Sequence, residues 1–388
     1  YLALILMATA GMMFLVSAGD LLMLFVALEM TSLSLYILTA FNKRNIRSAE
    51  AALKYFLVGG LSAAFLLFGL SWIYGMAGTT DFHKLAAALA APGLDPLLIV
   101  ALVLAVIGFG FKVAAVPFHL WAPDAYQGAP TPSAAFIASG SKVASFFIFA
   151  KLMMLGFAGT PLAGSAALPA GAAGWVPVVA VVAAFSMLLG NLVAIVQSNV
   201  KRLLAYSAIA HAGYMLLAVL AHDPEAAASL VYYAATYGLT TIGAFGVVAV
   251  VEQGAGDSRL SDFAGLCRRA PVVALCMMVF MLSLAGIPPL AGFFGKFYLF
   301  TAALKTGAPN LGLLWLVILA VGMSVVSLYY YLQVLKQIYV ADVPADAGEW
   351  RVSVFSQIVL GLLAAGVILL GAAPGWLLSL LRQALSVG

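Results

Sequence analysis

GFGFKVAAVPFHLWAPDAYQGAPTPSAAFIASGSK, Gly108 to Lys142, is the stretch on which the reading of the whole chain turns. It sets Lys112 and Lys142 inside apolar helical runs, with Pro117 breaking the first run and a turn rich in Pro, Gly and Asp between the two. In water the pattern would mean little. In a bilayer a lysine is costly, and a broken helix must line something polar or be buried in protein, so both features point to an ion path.

That the solvent is a bilayer follows from composition. With 65% hydrophobic and 8% charged residues and a mean hydropathy of +1.12, the 388-residue chain has too few charges to cover a globular surface. Windows of roughly twenty apolar residues recur from end to end and predict about eleven spans: 1–17, 21–41, 49–76, 96–116, 130–157, 174–198, 201–221, 226–251, 271–306, 310–340 and 353–373. The fold class is therefore an all-α polytopic membrane protein. Lys43, Arg44, Arg47, Lys201, Arg202, Arg259, Arg268, Arg269 and Arg351 fall in even-numbered loops, while the odd loops hold little beyond Lys84 and Lys305. Even loops are predicted to be cytoplasmic, with the chain starting inside and ending outside. The net charge of +4 is this bias alone and gives nucleic-acid binding no support. Cys267 and Cys276 are too few for a metal site or a disulfide framework. No G-x-G-x-x-G follows a strand, so dinucleotide binding is not supported either. Residue 1 is Tyr and lies in an apolar run, so earlier helices are expected to be missing from the chain.

Six ionisable residues stand inside apolar windows. Glu29 lies about 12 Å into its helix, near mid-bilayer, where a carboxylate must be paired or neutral. Lys54 lies about one turn inside the next helix, and snorkelling to the headgroups is its plain alternative. Lys112 precedes Pro117, whose ring frees a backbone carbonyl about four residues earlier. Lys142 sits halfway along a helix among small and hydroxylated neighbours. His211 is mid-helix and titrates near neutrality in its unperturbed state; the alternative is a buried neutral histidine hydrogen-bonded to serine or a carbonyl. Lys296 follows a second break at Pro288 and Pro289 in SLAGIPPLAGFFGKFYLF. Lys151 is expected to snorkel, and Trp121, His119 and Asp124 read as interfacial.

Echoes at a spacing of roughly 170–180 residues indicate an internal repeat. LLMLFVALE against LLAYSAIAH sets Glu29 opposite His211, KYFLVGGLSAA lies against YYAATYGLTTI, and Pro117 falls opposite Pro288. The period holds about five helices, and an odd number inverts the second copy across the membrane. The expected organisation is 1–157 as the first five-helix repeat, 174–340 as the second, and 353–388 as a C-terminal transmembrane helix and tail. One ionisable group per helix suits a chain running along the membrane better than a single ligand pocket. A lysine taken out of water releases its proton more readily, and a nearby carboxylate opposes that release. The reading is that Glu29 pairs with Lys112, and that separating them sends a proton on through Lys142, His211 and Lys296 by way of bridging waters.

LEMTSLSLY, FKVAAVPFHLWAPDAYQGAPTP, SGSK, QSNVKRLLAYSAIAHAGY and LAGIPPLAGFFGKFYLF resemble the antiporter-like, proton-translocating membrane subunits of respiratory complex I (NADH:quinone oxidoreductase), most closely the branch called subunit N. The resemblance covers nearly the whole chain. It implies that Glu29 is the family's glutamate, Lys112 its broken-helix lysine, Lys142 the central connecting lysine and Lys296 the lysine at the second break. It also implies a fourteen-helix full form, of which this chain looks like helices four to fourteen, in a bacterial cell membrane. No flavin, iron–sulfur cluster or quinone site is expected in this chain. NAD(H), FMN, iron–sulfur clusters and quinone would belong to partner subunits, and a neighbouring antiporter-like subunit and small core subunits would flank it. The alternatives are a subunit of a multi-subunit cation/proton antiporter or related hydrogenase-type complex, and a membrane spacer with no ion path.

Overall fold

The computed structural model describes residues 1–89, 96–157, 175–221, 224–306, 312–343 and 352–386. Helices α1 (Leu2–Ser17), α2 (Leu21–Thr39) and α3 (Ile46–Ala77) follow one another through tight turns. Asp20 caps α2 by accepting from Leu22 N and Met23 N at 2.9 Å each, and Asn45 caps α3 by accepting from Arg47 N at 3.0 Å. A short helix, α4 (Phe82–Ala88), buries Phe82 and Leu85 where the sequence suggests only an outer loop. Then come α5 (Pro96–Lys112), α6 (Trp121–Gly128) and α7 (Thr131–Gly156). The stretch 158–173, expected as an external loop, lies outside the described residues. The second part holds α8 (Trp175–Ile195), α9 (Val200–Ala221), α10 (Pro224–Ala255), α11 (Pro271–Ala285), α12 (Ala291–Thr306), α13 (Leu314–Tyr339), α14 (Val354–Ala372) and α15 (Pro374–Ser386).

Each expected window holds a helix. Among the described residues eight helices are long and apolar enough to cross a membrane, and α1, α5 and α11 are shorter apolar helices. The described residues form no strand, only the isolated bridges Asp20 to Asp81 and Asn199 to Arg259. Leu22, Val26, Leu33 and Ile37 on α2 and Phe56, Leu57, Leu61 and Phe68 on α3 are exposed. Apolar faces that continuous suit contact with lipid rather than water. The core is centred on α9, which is buried along almost its whole length and packs against α8, α10 and α12. At Gly190 of α8 a Cβ would lie 2.5 Å from Ala210 N, so glycine is what lets these two backbones touch.

Two belts of ion pairs bracket the apolar layer. At one end Lys54 pairs with Glu50 (2.7 Å) and Asp124 (2.8 Å), Arg202 with Asp124 (2.7 Å), and Lys201 with Glu252 (3.1 Å). At the other, Glu225 takes Lys305 (2.9 Å) and Arg382 (2.6 Å). Glu225 and Glu252 lie 27 residues apart on α10, about 40 Å along the axis, which matches a bilayer with its headgroup regions.

The C-terminal tail of the sequence reading turns out to be helix α15. Its Leu378, with Leu377, Leu381 and Leu385, packs against Ala228 and Tyr232 of α10 and Phe294 and Tyr298 of α12, while Trp376 stays exposed. The four leucines recur at helical spacing, but the segment is too short and too polar on its other face to register as a span.

Candidate functional site

Both proline-marked windows are interrupted. Helix α5 stops at Lys112, five residues before Pro117, and Ala114 takes a φ of 56°. The backbone groups set free there are taken up by protein: Trp121 Nε1 donates to Phe111 O at 3.0 Å, and Val116 N donates to Ser186 Oγ of α8 at 2.9 Å. Trp121, expected at the interface, is buried instead and stacks on Tyr55 with ring centroids 4.1 Å apart. His119 follows the break, and its Nδ1 is buried without a hydrogen-bond partner among the described residues. In the second window α11 ends at Ala285, Gly286 turns the chain with φ 88°, and α12 starts after Pro288 and Pro289. The carbonyl of Ala285 accepts from Lys296 Nζ at 3.0 Å. One lysine therefore ends the first half-helix of its window, and the other reaches back to cap its own, at the end where backbone dipoles favour a cation.

Lys112 is 6% exposed, Lys142 2% and Lys296 4%, and no carboxylate among the described residues lies within ion-pair distance of their amines. Lys112 Nζ donates to Ser32 Oγ at 2.5 Å, and Ser32 in turn donates to Leu28 O at 2.6 Å. Glu29 lies one turn of α2 from Ser32, close enough for its charge to act on Lys112, and its Oε1 is buried without a hydrogen-bond partner among the described residues. The expected direct pairing of Glu29 with Lys112 is thus not formed; the Ser32 hydroxyl holds the amine. Lys142 Nζ donates to Ala208 O, and it lies 5.8 Å from the ring centre of Tyr237. Lys296 Nζ also donates to Ser324 Oγ at 2.8 Å and lies 5.2 Å from the ring centre of Tyr214.

His211 stands between the last two lysines. Its ring centre is 4.9 Å from that of Tyr237, beside Lys142, and 5.6 Å from that of Tyr214, beside Lys296. Nδ1 meets Tyr233 Oη at 2.5 Å and Nε2 meets Tyr331 Oη at 3.1 Å. Depth follows from helix rise: Lys142 comes 11 residues after Thr131 and His211 ten after Lys201, and Thr131 and Lys201 both contact Glu252 in the first belt. Both are therefore about 15 Å from that belt, near mid-membrane.

Lys54 does not join this set. Its side chain is 47% exposed and is engaged by Glu50 and Asp124 in the first belt. One turn into a long helix, a four-carbon stem reaches the polar end more cheaply than it stays buried. Lys151, expected to snorkel, is half-buried, and its amine donates to Ala18 O at 2.7 Å in the turn just past the end of α1. The groups that the sequence reading passed over are Ser32, Ser207, Tyr214, Tyr233, Tyr237, Tyr331 and Asn191. Asn191 donates to Tyr214 Oη at 3.1 Å and accepts from Tyr330 at 3.0 Å. Their signal was spacing: Ser32 is at i+3 from Glu29, and Ser207 and Tyr214 flank His211 at i−4 and i+3, on one face of each helix.

An ammonium bonded to a neutral acceptor regains about 1.5–3 kcal/mol per bond, against several kcal/mol lost on leaving water. Packing alone does not justify three such lysines, and intramembrane ionisable groups of this kind make the cluster a candidate ion path.

Residues 18–327 match the family model described as NADH:quinone oxidoreductase/Mrp antiporter, TM, and the chain belongs to that family of membrane subunits. Among its relatives, "NADH-quinone oxidoreductase subunit N 2" of Acidobacterium capsulatum is 57% identical over 98% of this chain and 76% of that protein. A chain of respiratory complex I from Thermus thermophilus superposes with a TM-score of 0.81 at 38% identity, covering 97% of this chain and 78% of that one. A chain of an archaeal membrane-bound sulfane sulfur reductase, a respiratory membrane complex, superposes at 0.85 with 28% identity, over 99% and 74% of the two chains.

Proposed function

We propose that the chain is the N-type membrane subunit of a proton-translocating NADH:quinone oxidoreductase and moves protons along the middle of the membrane through Glu29, Lys112, Lys142, His211 and Lys296. Electron transfer to quinone in partner subunits, which hold the NAD(H), FMN and iron–sulfur sites, drives the movement. The subunit lies in a bacterial cell membrane beside a neighbouring antiporter-like subunit, with the Glu252 belt cytoplasmic and the Glu225 belt external.

The observation that carries this reading is the placing of His211 between Lys142 and Lys296, three ionisable groups from three helices with no carboxylate among the described residues to neutralise them. In the first half, Ser32 and Glu29 offer Lys112 two acceptors one helical turn apart. Moving the amine from the hydroxyl to the carboxylate changes the charge balance of the site and so the ease of releasing its proton. Two related halves are supported by what surrounds each centre. Glu29 has Ser32 one turn on, holding Lys112, and the buried Tyr55 nearby. At the matching positions His211 has Tyr214 one turn on, beside Lys296, and the buried Tyr233 bonded to it.

Redox-driven proton pumping by the assembled enzyme in liposomes, with Lys112→Ala or Lys142→Ala in this subunit, tests the reading. Fewer protons per electron are expected in each variant. Unimpaired pumping in both would overturn it.

A further inference from the structure

Four buried side chains from three helices form one unbroken hydrogen-bonded chain. Ser207 Oγ lies 2.5 Å from Tyr331 Oη, Tyr331 Oη 3.1 Å from His211 Nε2, and His211 Nδ1 2.5 Å from Tyr233 Oη. None is more than 2% exposed. A neutral imidazole carries one N–H and one bare nitrogen, and a hydroxyl both donates and accepts. The chain can therefore point either way: from Ser207 through Tyr331 into Nε2 and out of Nδ1–H to Tyr233, or the reverse.

Its two ends lie toward different lysines. Ala208, next to Ser207 on α9, supplies the carbonyl that holds Lys142. Tyr233 packs on α12 at Gly295, the residue before Lys296, where a Cβ would come within 2.2 Å of the tyrosine Cδ2. No residue but glycine would let the ring lie so close to that backbone.

We propose that Ser207, Tyr331 and Tyr233 are proton-carrying groups that, with His211, pass a proton between Lys142 and Lys296. The proposal rests on the relay reading above. In one direction, Ser207 gains a proton and gives its own to Tyr331. Tyr331 gives its phenolic proton to Nε2, Nδ1 gives its proton to Tyr233, and Tyr233 releases one towards Lys296. Each transfer breaks one O–H or N–H bond and forms the next, so one proton enters for each that leaves. Before the next transfer the hydroxyls turn and the imidazole regains its first tautomer by proton exchange with bridging water, Nδ1 taking up one proton as Nε2 gives one up. Ring packing requires none of this, because phenylalanine would fill the same space. What distinguishes the tyrosines is that both hydroxyls end on the two nitrogens of one histidine.

Tyr331→Phe and Tyr233→Phe keep the rings and remove only the hydroxyls, and Ser207→Ala removes the end of the chain with little change in packing. The assembled enzyme carrying each is reconstituted in liposomes beside His211→Gln and Lys142→Ala. Protons pumped per electron, uncoupled quinone reduction and the solvent deuterium isotope effect on pumping are measured. The expected result is that pumping in the three hydroxyl variants falls to the level of His211→Gln while uncoupled quinone reduction is kept, with a changed isotope effect that a packing defect would not produce. Wild-type pumping in all three, with loss in His211→Gln and Lys142→Ala, overturns the hydroxyl chain and leaves the relay standing. Wild-type pumping in all five overturns both.

Discussion

Ser32 holds Lys112 by a single charge-assisted bond, with the Glu29 carboxyl one turn away as a second acceptor. If the amine must alternate between them, Ser32→Ala leaves it with Glu29 alone. Pumping should drop while quinone reduction in uncoupled membranes persists, and Ser32→Thr, which keeps a hydroxyl, should restore pumping. Wild-type pumping in Ser32→Ala would show that the hydroxyl is only filling. Gly295→Ala tests the close contact with Tyr233: overpacking costs typically about 1–3 kcal/mol, so the thermal midpoint of the purified complex should fall. The ionisable members of the candidate site were legible in the sequence because a charge inside an apolar run is conspicuous. Ser32, Tyr233 and Tyr331 were not, since serine and tyrosine are ordinary in membrane helices and only packing shows which hydroxyl meets which nitrogen. Lys54 erred the other way. Its depth in the helix was read correctly, but its lateral direction, set by Asp124 on α6, was not in the local sequence.

At the scale of elements, α6 is tied between the two parts of the chain by one carboxylate. Asp124 accepts from Lys54 on α3 and from Arg202 on α9. Burial alone would push its carboxyl up, but the hydrogen bonds and charges of Lys54 and Arg202 hold it below the usual carboxylate value. A carboxyl lowered in the folded state adds stability above its unfolded value, near 4, and that stability is lost as pH falls through the folded value. Asp124→Asn should therefore lower the thermal midpoint of the detergent-solubilised complex at pH 7, with the gap from wild type closing as the pH falls below about 4. A gap independent of pH would mean that the carboxylate charge is not what binds α6. The helices themselves were readable from hydropathy, and both interruptions from their prolines. That α5 ends five residues before Pro117 was not, because the backbone groups it frees are satisfied by Trp121 and by Ser186, distant in sequence. Helix α15 was missed because its apolar stripe shows only against Tyr232 and Tyr298.

For the whole molecule, the lysines and arginines of the even loops predicted which loops share a side, and Glu50, Lys54, Asp124, Arg202, Lys201 and Glu252 do gather at one end. With that end cytoplasmic, a cysteine replacing Arg44 in an intact cell should resist a membrane-impermeant thiol reagent, and one replacing Ser379 on α15 should react. The reverse pattern would invert the topology. Company separates the proposed enzyme from the antiporters of the same family: the chain should co-purify with quinone-reducing redox subunits. The central claim, that protons run laterally between the buried lysines, is tested most directly by a map of the assembled complex that resolves ordered water. Waters and hydroxyls at hydrogen-bond spacing should run without a break from Glu29 through Lys112, Lys142 and His211 to Lys296. A dry apolar gap too wide for one bridging water, more than about 6 Å, between Lys112 and Lys142 would contradict it.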